Sequence, residues 1–577
     1  MKNITYKTVI VVFLCNAILW TGCTKDLDLS PKAQISDASF WISASDFEKA
    51  ANALYASLEG FPSTTDFNMF DVNSDIAFNS PNSVSNSTMT TPDTDGKWNT
   101  PYTYIRRCNN LIEHAQVSSI AESVKVYVAE ARFFRAYNYW SLYRLYGGVP
   151  IVTKVLDIDS PELFDPRNSA DEVVDYILND LRDAVADLPE EDQVPAASKG
   201  RITKGAANGL RARVALFEGT WRKYRSDADA TKYLDIALES SNAVINSGKY
   251  TLFSQYGADE SYRLLFIDEG DNASECILDR IHASRIGSAL HYMPPRFQQY
   301  GMLATKTLAD MYLCTDGLPV EKSPLFQGYE TRTSEFENRD GRMSQTIMIP
   351  GTIYYAHYVP APVPTWPFYP QRNNTTGYIQ YKYLPQNQEM LMFGDGSGVG
   401  HGYDRHIIRY AEILLIFAEA TFEKNGSISD GDLDRTINLL RERVGMPTKL
   451  SNAFVTANGL DMKEEIRRER TVELAFEGLR WDDLRRWKTA EIELKKPIKG
   501  IKVLGTEWIE PILVSGENAN PYGGEYFQNR TDENGFIISE SSSATIRGSF
   551  NPEKHYLYPL PAKELQKNTN LKQNPNW

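Results

Sequence analysis

Cysteine is scarce: the 577 residues hold five. Cys15 and Cys23 lie near the N-terminus, leaving Cys108, Cys276 and Cys314 as an odd and scattered set. No Cys-x-x-Cys spacing occurs, which argues against a zinc ribbon or a dithiol redox pair and leaves any disulfide pairing open. Histidine is equally sparse, with seven residues and no His-Glu-x-x-His. His401 and His406 stand five apart beside Asp404, a poor spacing for metal ligands on a helix. There is no Gly-x-Ser-x-Gly elbow and no phosphate-cradling Gly-x-x-x-x-Gly-Lys. The glycine-rich run 394–400 neither follows a strand nor opens a helix, so it reads as a flexible loop. Basic clusters are also missing; the formal net charge of -14 argues against a nucleic-acid partner. Two glycosidase-type carboxylates among 75 Asp and Glu would leave no signature. With no catalytic motif visible, the chain is expected to bind rather than to catalyse, and no cofactor or metal is implied.

Long apolar runs are missing as well. The N-terminal run Val9–Leu19, broken by Asn16, is too short to span a bilayer. With Lys2 and Lys7 ahead of it, it reads as a signal peptide, residues 1–22. It ends in Trp20-Thr21-Gly22-Cys23, where small residues precede a cysteine as they do in a bacterial lipobox, although Trp20 stands where leucine is usual. Cys23 is therefore the expected lipidation site, and the polar, acidic stretch 23–44 reads as a tether.

Aromatics are abundant: 32 Tyr, 25 Phe and 10 Trp. Many Tyr and Trp fall where no helical period exists. That placement suits a sugar or peptide site, because these rings offer an apolar face with a polar handle. The helical signal is strongest in Glu130–Val152. Ala131, Phe134, Tyr137, Asn138 and Ser141 make one stripe, and Phe133, Ala136, Trp140 and Tyr143 another, so this helix should lie between others. Gly147-Gly148 should stop it with a left-handed cap, and Val149-Pro150 forces extended chain. Further helices are predicted from a cap at Ser45 or Asp46 to Gly60, over Thr103–Ala115, Asp171–Leu188, Thr203–Thr220, Thr231–Ser247, Ile407–Lys424 and Leu433–Val444. Their pairing has roughly tetratricopeptide length with irregular spacing. Periodicity vanishes over 61–99, a loop long enough to suggest a function. It weakens again between Tyr250 and His401, where Pro, Gly and aromatics are dense and strands would be short. Residues 501–549 read as a surface excursion. In Glu465–Trp487, Glu465, Arg468, Glu469 and Glu473 stand at helical steps, and Asp482, Asp483, Arg485 and Arg486 lie between two tryptophans. A buried ion network holding helices together is the expected role.

These blocks resemble the SusD/RagB family, the surface lipoproteins that capture nutrients for outer-membrane import in Bacteroidetes. The resemblance runs through EARFFRAYNYWSLYRLYGGVPIV (130–152), RITKGAANGLRARVALFEG (201–219), MYLCTDGLPV (311–320), Asn338–Arg342, RYAEILLIFAEA (409–420) and INLLRERVGMP (437–447). It continues in IRRERTVELAFEGLRWDDLRRW (466–487) and YLYPLPAKELQKNTNLKQNPNW (556–577), in the family's order. It implies a mainly α fold, a tetratricopeptide-like scaffold of helix pairs with an inserted loop-rich lobe containing short strands. The boundaries expected are 45–250 for an N-terminal helical region with its ligand loop at 61–99, 251–405 for the loop-rich lobe, and 406–577 for a C-terminal helical region.

The family's ligand site is similar in kind to an aromatic platform with polar neighbours on loops. Candidates for that role here are Asp75, Asn79, Trp98 and Asn99 from the first loop, and Tyr292, Arg296, Trp366, Tyr369 and Asn373 from the middle lobe. Trp366, between Pro364 and Pro367, would be presented by a stiff loop at little entropic cost. The resemblance further implies a lipid-anchored protein on the outer membrane, facing outward. It would capture oligosaccharide and deliver it to a SusC-like TonB-dependent transporter. The same fold and transporter role with a peptide ligand is the alternative.

Overall fold

The computed structural model describes residues 40–61, 70–78, 82–227, 229–282, 303–355, 362–364, 376–384, 402–509, 513–514, 517–518, 530–539, 547 and 549–577. Helices dominate. The first is α1 (Ala44–Asn52), capped by Ser43, not by the expected Ser45 or Asp46. Asp46 instead closes the capping box, accepting from the Ser43 amide at 3.0 Å. The chain then tightens into a 3-10 turn, Ala53–Ser57, instead of continuing helical to Gly60.

Next come α2 (Gly96–Val117), α3 (Ala121–Tyr146), α4 (Ala170–Asp187), α5 (Lys204–Lys223) and α6 (Ala230–Ser247). Each packs on the one before it, and α7 (Tyr410–Asn425) packs on α6. This is the tetratricopeptide-like stack of helix pairs. As its double stripe requires, α3 is buried on nearly every side, against α1, α2, α4 and α5. Arg135 of α3 binds Asp180 of α4 through two parallel hydrogen bonds of 2.7 and 2.8 Å. Helix α4 begins with a full capping box, Ser169 with Glu172. Small residues on α5 allow close approach: a Cβ on Gly219 would lie 2.9 Å from the Leu234 side chain of α6.

The stop after α3 differs from the expected left-handed cap. Gly147 has φ 74° and ψ -136°, a region reserved for glycine but outside the left-handed helical one. Gly148 is required by space: a Cβ there would sit 2.2 Å from the backbone oxygen of Asn168.

The strands are short and pair two by two, all antiparallel: β1 (Ala77–Phe78) with β3 (Leu303–Ala304), β2 (Cys276–Arg280) with β6 (Arg405–Arg409), β4 (Ile353–Tyr355) with β5 (Pro362–Pro364), β7 (Lys499–Lys502) with β10 (Phe536–Ile538), and β8 (Leu513–Val514) with β9 (Glu517–Asn518). Ile407 and Ile408 thus belong to a strand and not to the helix predicted from Ile407. Their backbone is committed to β2, and α7 starts only at Tyr410. The pair β2–β6 ties residues 276–280, within the loop-rich stretch, to its C-terminal end.

The motif Ile466–Trp487 forms α9 (Met462–Glu473), following α8 (Ile437–Arg443), and then α10 (Arg480–Arg486) after a turn in which Phe476 takes φ 64°. Its charges form the expected buried network. Glu473 accepts from Arg342, Arg409 and Arg443; Asp483 from Arg470 and Arg486; Glu419 of α7 from Arg486 and from Trp487 Nε1. Burial pushes the Glu473 carboxyl up, but the three guanidiniums outweigh it and hold it far below the usual carboxylate range. The C-terminus docks on this scaffold: Asn574 Nδ2 donates to the carbonyls of Tyr146 and Tyr558 at 3.1 and 2.7 Å. No helix among the described residues is long and apolar enough to cross a membrane.

Candidate functional site

A cleft of about 340 Å³ lies between the first turns of α2, one face of α3 and the turn 477–482. That volume is at the small end of the roughly 300–1,000 Å³ of small-molecule sites. Exposed Glu59, Gly96, Lys97 and Thr100 frame its mouth. Deeper, the buried rings of Trp140 of α3 and Trp481 of α10 reach the wall only by their edges, and Arg144, Arg213 and Arg405 bring positive charge. Helix α2 starts at the rim because Asp95 caps it, accepting from the Lys97 amide at 2.9 Å and from the Tyr146 hydroxyl at 2.8 Å. Pro101 sits inside this helix and has no N–H to give the Lys97 carbonyl, so that oxygen lacks its helical donor at the cleft mouth.

Most charges in the wall are matched. Arg405 lies 3.4 Å from Glu59, Arg144 donates to Asp482 at 3.3 Å, and Arg213 embraces Glu412 at 2.8 and 2.6 Å. Desolvation pushes the Glu59 carboxyl up, yet Arg405, Arg144 and Arg213 together hold it below the usual range. Three buried polar atoms of wall residues have no hydrogen-bond partner among the described residues: Asn73 Oδ1, Arg144 Nε and Trp481 Nε1. The wall thus combines acceptors, donors and the edges of two indole rings, a mixture that suits a polar ligand with an apolar face.

The first loop reaches this wall because two of its carboxylates clamp it to the turn before α10. Asp71 accepts from the amides of Arg480 and Gly478 at 2.8 and 3.3 Å. Asp75 takes the Arg480 guanidinium through two bonds of 2.9 Å. The two clamps hold Asn73 and Trp481 in one wall. Burial raises the Asp71 carboxyl to about 7, since its two amide donors only partly offset desolvation and the nearby charges of Asp483 and Glu477.

Two expectations are corrected here. Trp98 is not a loop platform. It lies buried in the first turn of α2, outside the cleft wall, with Tyr146 edge-on at 5.1 Å and Tyr102 at 5.4 Å. Trp98, Pro101 and Ile105 stand at helical steps on the buried face, a period concealed by the proline. Nor is Asp75 free for a ligand, since both its oxygens are committed to Arg480; it positions the loop. Asn99 is exposed on α2 but is not among the residues of the wall. Asn79, Tyr292, Arg296, Trp366, Tyr369, Asn373 and Cys23 lie outside the described residues. Asn73, Arg144 and Trp481 were missed. Two of them lie inside motifs whose other residues are plainly structural, and nothing in a linear sequence marks an unsatisfied atom.

Comparison with known proteins decides the family. The model described as "SusD family" matches residues 288–577, and one described as "Starch-binding associating with outer membrane" matches residues 27–216. The chain belongs to the SusD family. It is 24% identical over 599 residues to a SusD-like protein of Bacteroides ovatus, covering 99% of this chain and 98% of that protein. A SusD-like protein from Bacteroides fragilis superposes with a TM-score of 0.71 at 24% identity, over 95% of this chain and 100% of that one. A SusD-like carbohydrate binding protein from the same species gives 0.71 at 23% identity, over 92% and 100%. In SusD-family terms, the cleft is built from both matched segments: α2 and α3 fall in the first, β6 and the turn 477–482 in the second.

Proposed function

We propose that this chain captures an oligosaccharide at the cell surface and delivers it to a SusC-like TonB-dependent transporter. A lipid on Cys23 would hold it to the outer membrane. The observation that carries the reading is one cleft whose wall sets the polar side chains of Asn73, Arg144 and Arg405 beside Trp140 and Trp481. The starch-binding description of the N-terminal family model and the carbohydrate-binding relative support it. In this reading Asn79, Tyr292, Arg296, Trp366, Tyr369 and Asn373 complete the site from the first loop and from the loop-rich lobe, 251–405. The helical regions 45–250 and 406–577 carry the transporter-facing surface. Capture proceeds without turnover, because a carrier that cleaved its cargo would release it before transfer.

Affinity electrophoresis against a panel of soluble glycans, with a peptide pool as the second arm, tests the ligand class. Retardation by at least one glycan, with no shortening of that glycan on prolonged incubation, is the expected result. Retention by peptides alone, or product formation by the pure protein, overturns it. Co-purification of the tagged protein with a large outer-membrane β-barrel tests the delivery step.

A further inference from the structure

Cys276 and Asp279 on β2 and His406 on β6 bring a thiol, a carboxylate oxygen and a ring nitrogen within 4.8 Å of one another. His406 Nδ1 lies 3.2 Å from Cys276 Sγ and 2.8 Å from Asp279 Oδ1. Its other nitrogen, Nε2, donates to the backbone oxygen of Leu265 at 2.7 Å. A nucleophile–base relay would use opposite ring nitrogens for the thiol and the carboxylate. Here the carboxylate meets Nδ1, the thiol lies nearer Nδ1 than Nε2 (3.2 against 3.7 Å), and a carbonyl holds Nε2, the arrangement of a metal-ligating histidine with its supporting partner.

Strand geometry singles out the same three residues. In a regular strand, residues three apart point to opposite faces. The β2–β6 register breaks between Cys276 and Leu278 and again between Leu278 and Asp279. These irregularities turn Cys276 and Asp279 to one side, and Asp279 is paired directly with His406. A second cleft, of about 200 Å³, opens on Cys276 and Asp279 and is bordered by Asp404. Asp404 in turn donates its amide to Asp271 at 2.7 Å, so two more carboxylates stand behind the ligands.

We propose that Cys276, Asp279 and His406 form a Zn²⁺ site. Thiolate, imidazole and carboxylate together suit zinc, and the second cleft leaves a fourth position open to water. A tetrahedral ion holds its S and N ligands about 3.5 Å apart and its N and O ligands about 3.3 Å apart. On binding, His406 Nδ1 therefore draws away from Cys276 Sγ and from Asp279 Oδ1 by a few tenths of an ångström, while the three ligand atoms, within 4.8 Å of one another, close on one ion. The protons on Cys276 Sγ and His406 Nδ1 leave to solvent as the metal takes their place. The ion pins β2 to β6, the pair that ties residues 276–280 to the C-terminal end of the loop-rich stretch. Spacing in the sequence gives no hint of the site, because the histidine stands 130 residues from the cysteine.

This inference does not rest on the ligand reading, although His406 also borders the first cleft, and the metals alone test it. Metal-stripped protein titrated with Co²⁺ is expected to show a near-ultraviolet thiolate-to-cobalt band that saturates at one equivalent and is displaced by Zn²⁺. Cys276→Ser should abolish the band and lower Zn²⁺ affinity at least tenfold. Asp279→Asn, which keeps a polar partner for the ring, should lower it similarly. Cys108→Ser, in the helical core, should leave both unchanged. The proposal is overturned if the wild type shows no thiolate band, or if Cys276→Ser retains it. It also fails if Asp279→Asn binds Zn²⁺ as tightly as the wild type.

Discussion

Nη2 of Arg443 lies 2.7 Å from both carboxylate oxygens of Glu473. Arg409 and Arg342 occupy the same two oxygens at 2.7 and 3.0 Å, and the Glu473 backbone oxygen accepts from Tyr262 at 2.6 Å. One carboxylate thus joins α8, α9, β6 and the short helix Gly341–Thr346. Removing its charge leaves three buried guanidiniums short of a counter-ion, which is far costlier than loss of a surface pair. Glu473→Gln is expected to destabilise the fold by about 3–5 kcal/mol. A drop in the urea midpoint at unchanged slope would show it; a change below about 1 kcal/mol would mean the network is dispensable.

Asp71 gives a pH dependence of definite sign. Its carboxyl is raised from 3.8 to about 7 in the fold, so the native state holds a proton that the unfolded chain has already lost in that interval. Stability is therefore fullest below pH 4 and falls as pH rises toward 7, by at most about 4 kcal/mol from this group. Glu477 works in the other direction. Burial raises it, but Arg409 and Lys382 bring it down to about 2, so its contribution is present above pH 4.5 and lost as pH falls toward 2. Asp71→Asn imitates the protonated form. It is expected to match the wild type near pH 4, to exceed it in stability near pH 8, and to flatten the slope between them in urea titrations run at each pH.

Two glycines after helices test space against conformation. Gly248 adopts φ 64° after α6 with open space where a Cβ would go. Gly248→Ala should cost about 1 kcal/mol for the left-handed backbone alone. At Gly148 the obstacle is the backbone oxygen of Asn168, which no rotamer change can move. Gly148→Ala should therefore cost more, by about 1–3 kcal/mol, and loosen the 147–169 connection. Thermal melts of the two variants compare them; equal losses would contradict the packing argument.

What could be read from the sequence was what local chemistry determines. The helices expected over Asp171–Leu188 and Thr231–Ser247 are α4 and α6 within a residue or so, and the double stripe of α3 announces burial on nearly every side. The acid–base pattern of 466–487 correctly suggested a structural network. Failures occurred where tertiary contacts overrode local pattern. Pro101 concealed the first turn of α2 and so made Trp98 look like a loop residue. Ile407 and Ile408 fit a helical period, but pairing with β2 holds them extended. The cleft could not be read at all, because Asn73, Arg144 and Trp481 come from distant segments and are distinguished by hydrogen bonds they do not make.

Those three atoms also separate a binding wall from a well-packed core. Trp481→Phe keeps the ring against its neighbours and deletes only the Nε1–H. If that donor serves a ligand hydroxyl, glycan affinity should fall about tenfold, roughly 1.4 kcal/mol, with little change in melting temperature because no hydrogen bond among the described residues is lost. Asn73→Ala removes the acceptor and should weaken binding by a similar factor. Trp98→Phe is the contrast: its indole is sealed between Tyr102 and Tyr146, so it should lower the melting temperature and leave affinity untouched. Calorimetric titration with whichever glycan retards the wild type measures all three. Unchanged affinity in both Trp481→Phe and Asn73→Ala would move the binding site away from this cleft, whereas a loss confined to Trp98→Phe would restore that ring as the contact.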